Sequence, residues 1–279
     1  MKRLVVIGDP IGHSLSPLIH NAALRAMGLE KEYRYEKLRI PPDKLSEFVH
    51  SVRRAEFVGV NVTLPHKEMI IRYLDGLTDE ASSIGAVNTV YRDGKEVIGH
   101  NTDGEGFLAS LRENGVDPTG KRVAVLGAGG AAKAVAMSLA VHEKCKLFIL
   151  NRTVEKAESL AKEIKRNTGK QAEVSELKNV KRYIKKIDLL VNCTSLGMEG
   201  DLEDESPVSS GLSNGMTVVD LVYSPKKTKL LKEAETKGCR TVKGTDMLIY
   251  QAAAAFKLWT GRKPPLKAMR KAMEGSNET

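Results

Sequence analysis

Val123-Ala-Val-Leu126 leads directly into Gly127-Ala128-Gly129-Gly130-Ala131-Ala132, and a helical pattern begins at once. An apolar strand, a glycine-rich turn and a helix with nothing between them admit few architectures, chiefly the first βαβ unit of a doubly wound parallel sheet. In that geometry Gly127 makes the tight turn, Gly129 lets backbone approach a pyrophosphate, and Ala132 permits close helix–strand packing. The helix N-terminus adds unpaired N–H donors for phosphate. Such turns also occur without a ligand, but the further strand about 20 residues on favours a dinucleotide site.

The rest of this half alternates in the same way. Strands are predicted over residues 123–126, 146–150, 188–193 and 218–222, with short ones near 241–242 and 173–175. Helices over 131–141, 154–167 and 227–237 fill the gaps, and helical patterns over 246–260 and 266–274 end the chain. The second strand ends Leu150-Asn151-Arg152-Thr153, with Lys156 one turn on. An acidic residue at that point would bond a ribose 2′-hydroxyl, whereas Arg152 presents a planar fork to a 2′-phosphate. The reading is therefore NADP.

The N-terminal half also reads as α/β. Strands are predicted over 4–7, 33–38 and 57–62, and helices over 42–55 and 67–73, with another opening at Ser16 as N-cap and Pro17 as first helical residue. Segments 86–91 and 96–99 flank Asp93-Gly94, a hairpin signal. The pattern predicts an α/β domain over 1–102, a Rossmann-like domain over 103–245 and C-terminal helices over 246–279.

Composition narrows the function classes. The net charge of +9 comes from basic residues interleaved with Glu, and the clusters at 178–186 and 262–271 carry few aromatics. That is a solvated surface rather than a nucleic-acid face. No apolar run approaches the roughly 20 residues that cross a bilayer. Cys145, Cys193 and Cys239 are widely spaced and odd in number, so reduced thiols in a cytoplasmic protein are expected, without disulfide or metal.

Four polar runs lie at predicted strand ends, where open α/β sheets place ligands. They are Gly8-Asp-Pro-Ile-Gly-His13-Ser14-Leu-Ser16-Pro17-Leu-Ile-His20-Asn21, Asn61-Val-Thr63-Leu-Pro65-His66-Lys67, Gly85-Ala-Val-Asn88-Thr89 and Asn101-Thr102-Asp103-Gly104. Read singly, each has a structural explanation. His13, His20, His66 and His100 are not spaced as a metal set and suit polar structural roles.

With these runs, Asn151-Arg152-Thr153, Asn192-Cys-Thr194-Ser-Leu-Gly197-Met198, Asp220-Leu-Val-Tyr223-Ser-Pro225 and Met247-Leu-Ile-Tyr-Gln251-Ala, the chain resembles the shikimate dehydrogenase family over essentially its whole length. That family reduces 3-dehydroshikimate reversibly to shikimate with NADPH, in aromatic amino acid biosynthesis. The resemblance implies an N-terminal substrate domain with a mainly parallel sheet, a Rossmann-like NADP domain, and C-terminal helices returning to the first domain. It implies that Ser14 and Ser16 hold the substrate carboxylate, with Tyr223 assisting, and that Thr63, Asn88 and Gln251 bond the ring hydroxyls. Lys67 and Asp103 would form the catalytic pair. Gly127, Ala128, Gly129, Gly130 and Ala131 would take the pyrophosphate, and Asn151, Arg152, Thr153 and Lys156 the adenosine ribose and its phosphate. Thr194, Met198, Leu221, Gly244 and Met247 would lie nearer the nicotinamide.

Two features depart from the family pattern. Lys156 stands where Arg is frequent, and Asp246 where a smaller residue is common, so Asp246 is expected to turn away as an N-cap. The implied protein is a monomer or homodimer with small-molecule ligands only. An NAD-using quinate/shikimate dehydrogenase and a non-enzymatic NADP-binding regulator are the other readings. Arg152 speaks against the first, and Lys67 with Asp103 against the second.

Overall fold

The computed structural model describes residues 1–275. The chain forms two compact units, Met1–Gly106 together with the chain from Ile249 onward, and Phe107–Leu248.

In the first unit β1 (Lys2–Gly8), α1 (Ser16–Ala26), β2 (Tyr33–Arg39), α2 (Leu45–Arg53), β3 (Gly59–Val62), α3 (His66–Met69), β4 (Gly76–Leu77), α4 (Asp79–Ile84), β5 (Thr89–Asp93) and β6 (Glu96–His100) follow in order. The sheet runs β2-β1-β3-β5-β6-β4. β5 pairs antiparallel with β3 and β6, and every other pairing is parallel. Val5, Ile7, Val60 and Val62 meet Leu45, Phe48, Val49 and Val52 from the apolar stripe of α2 in one buried cluster. Burying each such side chain contributes about 1.5–3 kcal/mol. The later part of α10 (Gly244–Thr260) and α11 (Leu266–Gly275) belong to this unit. Gly106 in α5 (Asp103–Glu113) has no Cβ, and one placed there would lie 2.6 Å from the Gln251 backbone nitrogen. This close approach brings Gln251 to the polar end of the sheet.

The second unit contains β7 (Arg122–Leu126), α6 (Gly130–His142), β8 (Lys146–Asn151), α7 (Val154–Thr168), β9 (Ala172–Glu176), α8 (Val180–Tyr183), β10 (Leu189–Asn192), β11 (Thr217–Asp220), α9 (Lys229–Thr236) and β12 (Arg240–Lys243). All pairings are parallel in the order β12-β11-β10-β7-β8-β9. That is the doubly wound order with its switch point between β7 and β10, and ligands bind outside the carboxyl ends of the strands at such a point. Strand interiors such as Val123–Leu126 are fully apolar because crossover helices cover a parallel sheet on both faces.

Three local expectations are corrected. Ser16 is not a side-chain N-cap; Leu15 occupies that position, and the Ser16 N–H donates to Ser14 Oγ at 3.4 Å. The hairpin strand starts at Thr89 rather than residue 86, because Gly85 ends α4 in the left-handed region at φ 69° and residues 86–88 cross as a loop. Asp246 sits inside the first turn of α10, where its carboxylate accepts from Asn114 Nδ2 at 3.1 Å.

Candidate active site

Three strand ends of the first unit build a polar cluster. β3 delivers Asn61, then Thr63 and the turn into α3 with Lys67; the residues before β5 deliver Asn88; the end of β6 leads through Asn101 and Thr102 to Asp103, the first residue of α5. The Lys67 ammonium donates to Asp103 Oδ2 at 2.5 Å, and both side chains are largely buried. Asp103 Oδ1 accepts from Asn88 Nδ2 at 2.8 Å, so each carboxylate oxygen faces a donor. The Asn88 amide also reaches Thr102 Oγ1 at 3.0 Å and Gln251 Oε1 at 3.4 Å, while its Oδ1 accepts from the Thr102 N–H at 2.8 Å.

Backbone bonds hold the loops that carry these groups. Asn101 donates to the Ala86 carbonyl at 2.8 Å and accepts from the Asp103 N–H at 2.9 Å, which ties the start of α5 to the loop before β5. The Val87 N–H donates to the Lys67 carbonyl at 2.8 Å. One of the three ammonium N–H groups is spent on Asp103.

Ser14 and Ser16 follow β1, and Thr63 follows β3; β1 and β3 are neighbours in the sheet. Gly8 packs against Thr63, whose methyl would lie 2.6 Å from a Cβ at that glycine. Lys67, Asn88, Asp103 and Gln251 are thus joined by hydrogen bonds, with Ser14, Ser16 and Thr63 at strand ends of the same unit. Tyr223 belongs to the second unit, where burial pushes its phenol pKa up.

Every residue expected on the cofactor side lies in the second unit. Gly127 adopts φ +112°, and a Cβ there would lie 3.2 Å from the Cys193 carbonyl, so glycine is required. Gly129 caps α6 without a side-chain bond, and a Cβ built on it meets nothing within 4 Å. The backbone beside the start of α6 is therefore an open cradle, and it fits a pyrophosphate at a helix N-terminus. Asn151 ends β8 and donates to the Thr153 carbonyl at 2.8 Å; Arg152, Thr153 and Lys156 are exposed. Arg152 lines a cleft of about 360 Å³ with Leu177, Lys178, Lys181 and Leu196. Glu176 lines it too and is ion-paired with Lys178, which leaves Arg152 and Lys181 as its other cations.

Gly244 packs on Leu221, where a Cβ would fall 2.5 Å from the carbonyl oxygen. Met198 is 45% exposed, whereas Met247 is buried. Thr194 donates to Asn192 Oδ1 at 2.7 Å, and Asn192 donates to Asp220 Oδ1 at 2.9 Å. Asp220 also accepts from Thr228 Oγ1 at 2.6 Å, and burial raises its pKa to about 6 against these donors. Asn192, Asp220 and Thr228 anchor the loops after β10 and β11. Their own motifs contain the first two, but no sequence signal marks Thr228 as their partner.

Two histidines of the first unit bond neighbouring protein groups. His66 Nε2 lies 2.6 Å from the Ile40 carbonyl and His100 Nδ1 lies 2.9 Å from Thr78 Oγ1. Burial lowers the His100 pKa. Among the described residues no group of three or more His, Cys, Asp or Glu is placed to hold a metal ion, and no helix is long and apolar enough to cross a membrane.

Comparison with known proteins agrees with this layout. Residues 6–90 match the model of the shikimate dehydrogenase substrate binding domain, residues 110–222 that of shikimate/quinate 5-dehydrogenase, and residues 244–274 that of the shikimate 5-dehydrogenase C-terminal domain. A shikimate dehydrogenase (NADP+) of Methanopyrus kandleri is 44% identical over 96% of this chain and 93% of its own. A crystal structure of a shikimate dehydrogenase in complex with NADP+ superposes with a TM-score of 0.92 at 40% identity, covering 98% of this chain and 95% of that one. The Thermus thermophilus shikimate 5-dehydrogenase with NADP(H) and shikimate gives a TM-score of 0.86 at 40% identity, over 98% and 99% of the two chains. With this identity along nearly the whole sequence, the chain belongs to the shikimate dehydrogenase family.

Proposed function

We propose that this protein is a cytoplasmic NADP-dependent shikimate dehydrogenase, reducing 3-dehydroshikimate reversibly to shikimate in aromatic amino acid biosynthesis. The observation that carries the reading is the buried Lys67–Asp103 pair, in a unit that also presents Ser14, Ser16, Thr63 and Asn88 near its strand ends and Gln251 from α10. NADPH bound along Gly127, Ala128, Gly129, Gly130 and Ala131 supplies the hydride.

Reduction leaves negative charge on the former carbonyl oxygen. The Lys67 ammonium stabilises that charge and delivers a proton to the oxygen, a transition-state interaction of the kind that dominates such sites. Asp103 holds the ammonium in place through Oδ2 and bonds the substrate. In the oxidative direction a deprotonated Lys67 takes the hydroxyl proton. Asn88 and Gln251 bond ring hydroxyls together with Thr63, while Ser14 and Ser16 take the carboxylate.

Arg152, assisted by Lys156, Asn151 and Thr153, grips the 2′-phosphate, while Thr194, Met198, Leu221, Gly244 and Met247 border the nicotinamide. The chain works as a monomer or homodimer on small molecules, without nucleic-acid or membrane partners. Purified protein mixed with shikimate or quinate, each with NADP or NAD, tests the proposal by absorbance of the reduced cofactor. Fast NADPH formation with shikimate supports it; turnover with quinate and NAD alone would transfer the reading to a quinate dehydrogenase, and silence in all four mixtures would leave a non-catalytic NADP-binding protein.

A further inference from the structure

The polar cluster does not end at Asn88. Asn88 Oδ1 accepts from Thr89 Oγ1 at 2.8 Å, and Thr89 Oγ1 accepts in turn from Asn61 Nδ2 at 3.3 Å. The register places Asn61 directly opposite Thr89 across the β3–β5 pair, so both side chains share one face. Asn61 Nδ2 also donates to the Asn88 carbonyl at 3.2 Å. That carbonyl can only accept, which forces the Asn61 amide oxygen the other way. There it meets the Tyr35 hydroxyl at 2.6 Å. Tyr35 must donate, Asn61 must donate to Thr89, Thr89 to Asn88, and Asn88 to Asp103.

Tyr35 itself is held from several sides. Asn21 clamps its backbone, donating to its carbonyl at 2.8 Å and accepting from its N–H at 3.1 Å. His20, the preceding residue of α1, stacks on the phenol ring at 4.2 Å and 4°. Phe256 and Trp259 of α10 lie against His20 at 6.2 and 5.5 Å. Trp259 fits because Gly59 leaves room for its ring and because its Nε1 donates to the Val90 carbonyl at 3.1 Å. Burial pushes the phenol pKa well above its usual value, so the hydroxyl keeps its proton and stays a donor.

We propose that Tyr35 is a positioning residue whose hydroxyl donates into the hydrogen-bond chain Tyr35–Asn61–Thr89–Asn88–Asp103, and so steadies Asp103 against Lys67. The proposal rests on Lys67 and Asp103 being the catalytic pair. Removing the hydroxyl takes from the buried Asn61 amide oxygen its 2.6 Å donor, and the cost is relieved by movement of Asn61 and of what it orients.

The test compares Y35F, T89V and the double variant with the wild type in two readouts. One is shikimate turnover; the other is the rate at which the Lys67 amine is acetylated by acetic anhydride, followed by mass spectrometry and independent of turnover. Both single variants are expected to lose roughly tenfold in kcat with KM for shikimate shifted less than about twofold, and the double variant no more than the worse single one. Lys67 acetylation should rise several-fold in each, and T89S, which keeps the hydroxyl, should restore both readouts towards wild type. Unchanged Lys67 reactivity and kcat in Y35F, or losses that multiply in the double variant, overturn the chain; if Y35F does not fold, T89V against T89S decides by the same readouts. Faster acetylation in a protein whose wild type does not oxidise shikimate would retain the chain and reject the catalytic reading instead.

Discussion

Lys67 and Asp103 stand 36 residues apart in the sequence, yet the ammonium of one lies 2.5 Å from the carboxylate of the other. The sheet makes this possible: α3 follows β3, α5 follows β6, and β5 alone separates those two strands. The second carboxylate oxygen is taken by Asn88. A residue at 103 therefore has to accept on both sides, and only a carboxylate does so.

Asp103→Asn offers one acceptor where two donors converge, so its amide must face either Lys67 or Asn88 donor to donor. The variant should lose about 10²–10³-fold in kcat with a smaller change in KM, since the fault lies with the group that meets the transition state. Steady-state kinetics with shikimate and NADP decide it; a kcat within a few-fold of wild type would remove Asp103 from the catalytic pair.

Arg152→Ala should weaken NADP binding by roughly 10–100-fold while leaving NAD within about threefold, because a charge-assisted bond to phosphate contributes about 1.5–3 kcal/mol. Titration calorimetry with each cofactor measures the ratio. Equal losses for both would assign Arg152 to the adenosine in general rather than to its phosphate.

Gly129→Val separates the cradle from the fold. A Cβ at residue 129 touches nothing within 4 Å, and its backbone is not in the left-handed region. Melting temperature should therefore stay within about 3 °C of wild type, while NADP affinity falls at least about tenfold because the side chain occupies the approach to the pyrophosphate. Undiminished NADP binding would place the phosphates elsewhere.

His20 gives the stability a pH signature. Its ring is wholly buried with neither nitrogen hydrogen-bonded, and burial lowers its pKa from 6.5 to about 3, opposed only in part by the nearby Asn61. The unfolded chain therefore binds this proton more readily than the folded one. Stability from the neutral ring is fully present above pH 6.5 and is lost as pH falls towards 3, by about 1.4 kcal/mol per unit. Urea denaturation at pH 7 and pH 5 should show His20→Phe losing about 2 kcal/mol less than wild type over that interval. Equal losses in the two proteins would mean that the ring is protonated in the folded state or hydrated there.

Much of this layout is legible in the sequence because its signals are contiguous. The run from Val123 to Ala132 carries strand, turn and helix in one stretch, and the apolar strands of the second unit follow from burial on both faces. The groups around Lys67 are legible for a similar reason, as each sits in a short polar run at a strand end. What is not legible depends on sheet order. Tyr35 sits at an inward position of alternating β2 and looks like core, and only the arrangement β2-β1-β3 brings its hydroxyl to Asn61. Ser16 lies one residue, and Asp246 three residues, inside the cap positions expected of them, because a cap is defined by backbone angles that residue type does not fix. β5 starts later than its apolar pattern suggests, because the pair Ala86-Val87 reads as strand while serving the loop that carries Asn88.

The central claim is that Lys67 is the acid and base of a shikimate dehydrogenase. The most direct measurement is kcat and KM for shikimate oxidation by NADP in Lys67→Ala beside the wild type. Rapid turnover by the wild type is expected, with a loss of about 10²–10⁴-fold in kcat and a far smaller change in KM in the variant. A variant with kcat intact and KM greatly raised would contradict it and make Lys67 a binding residue.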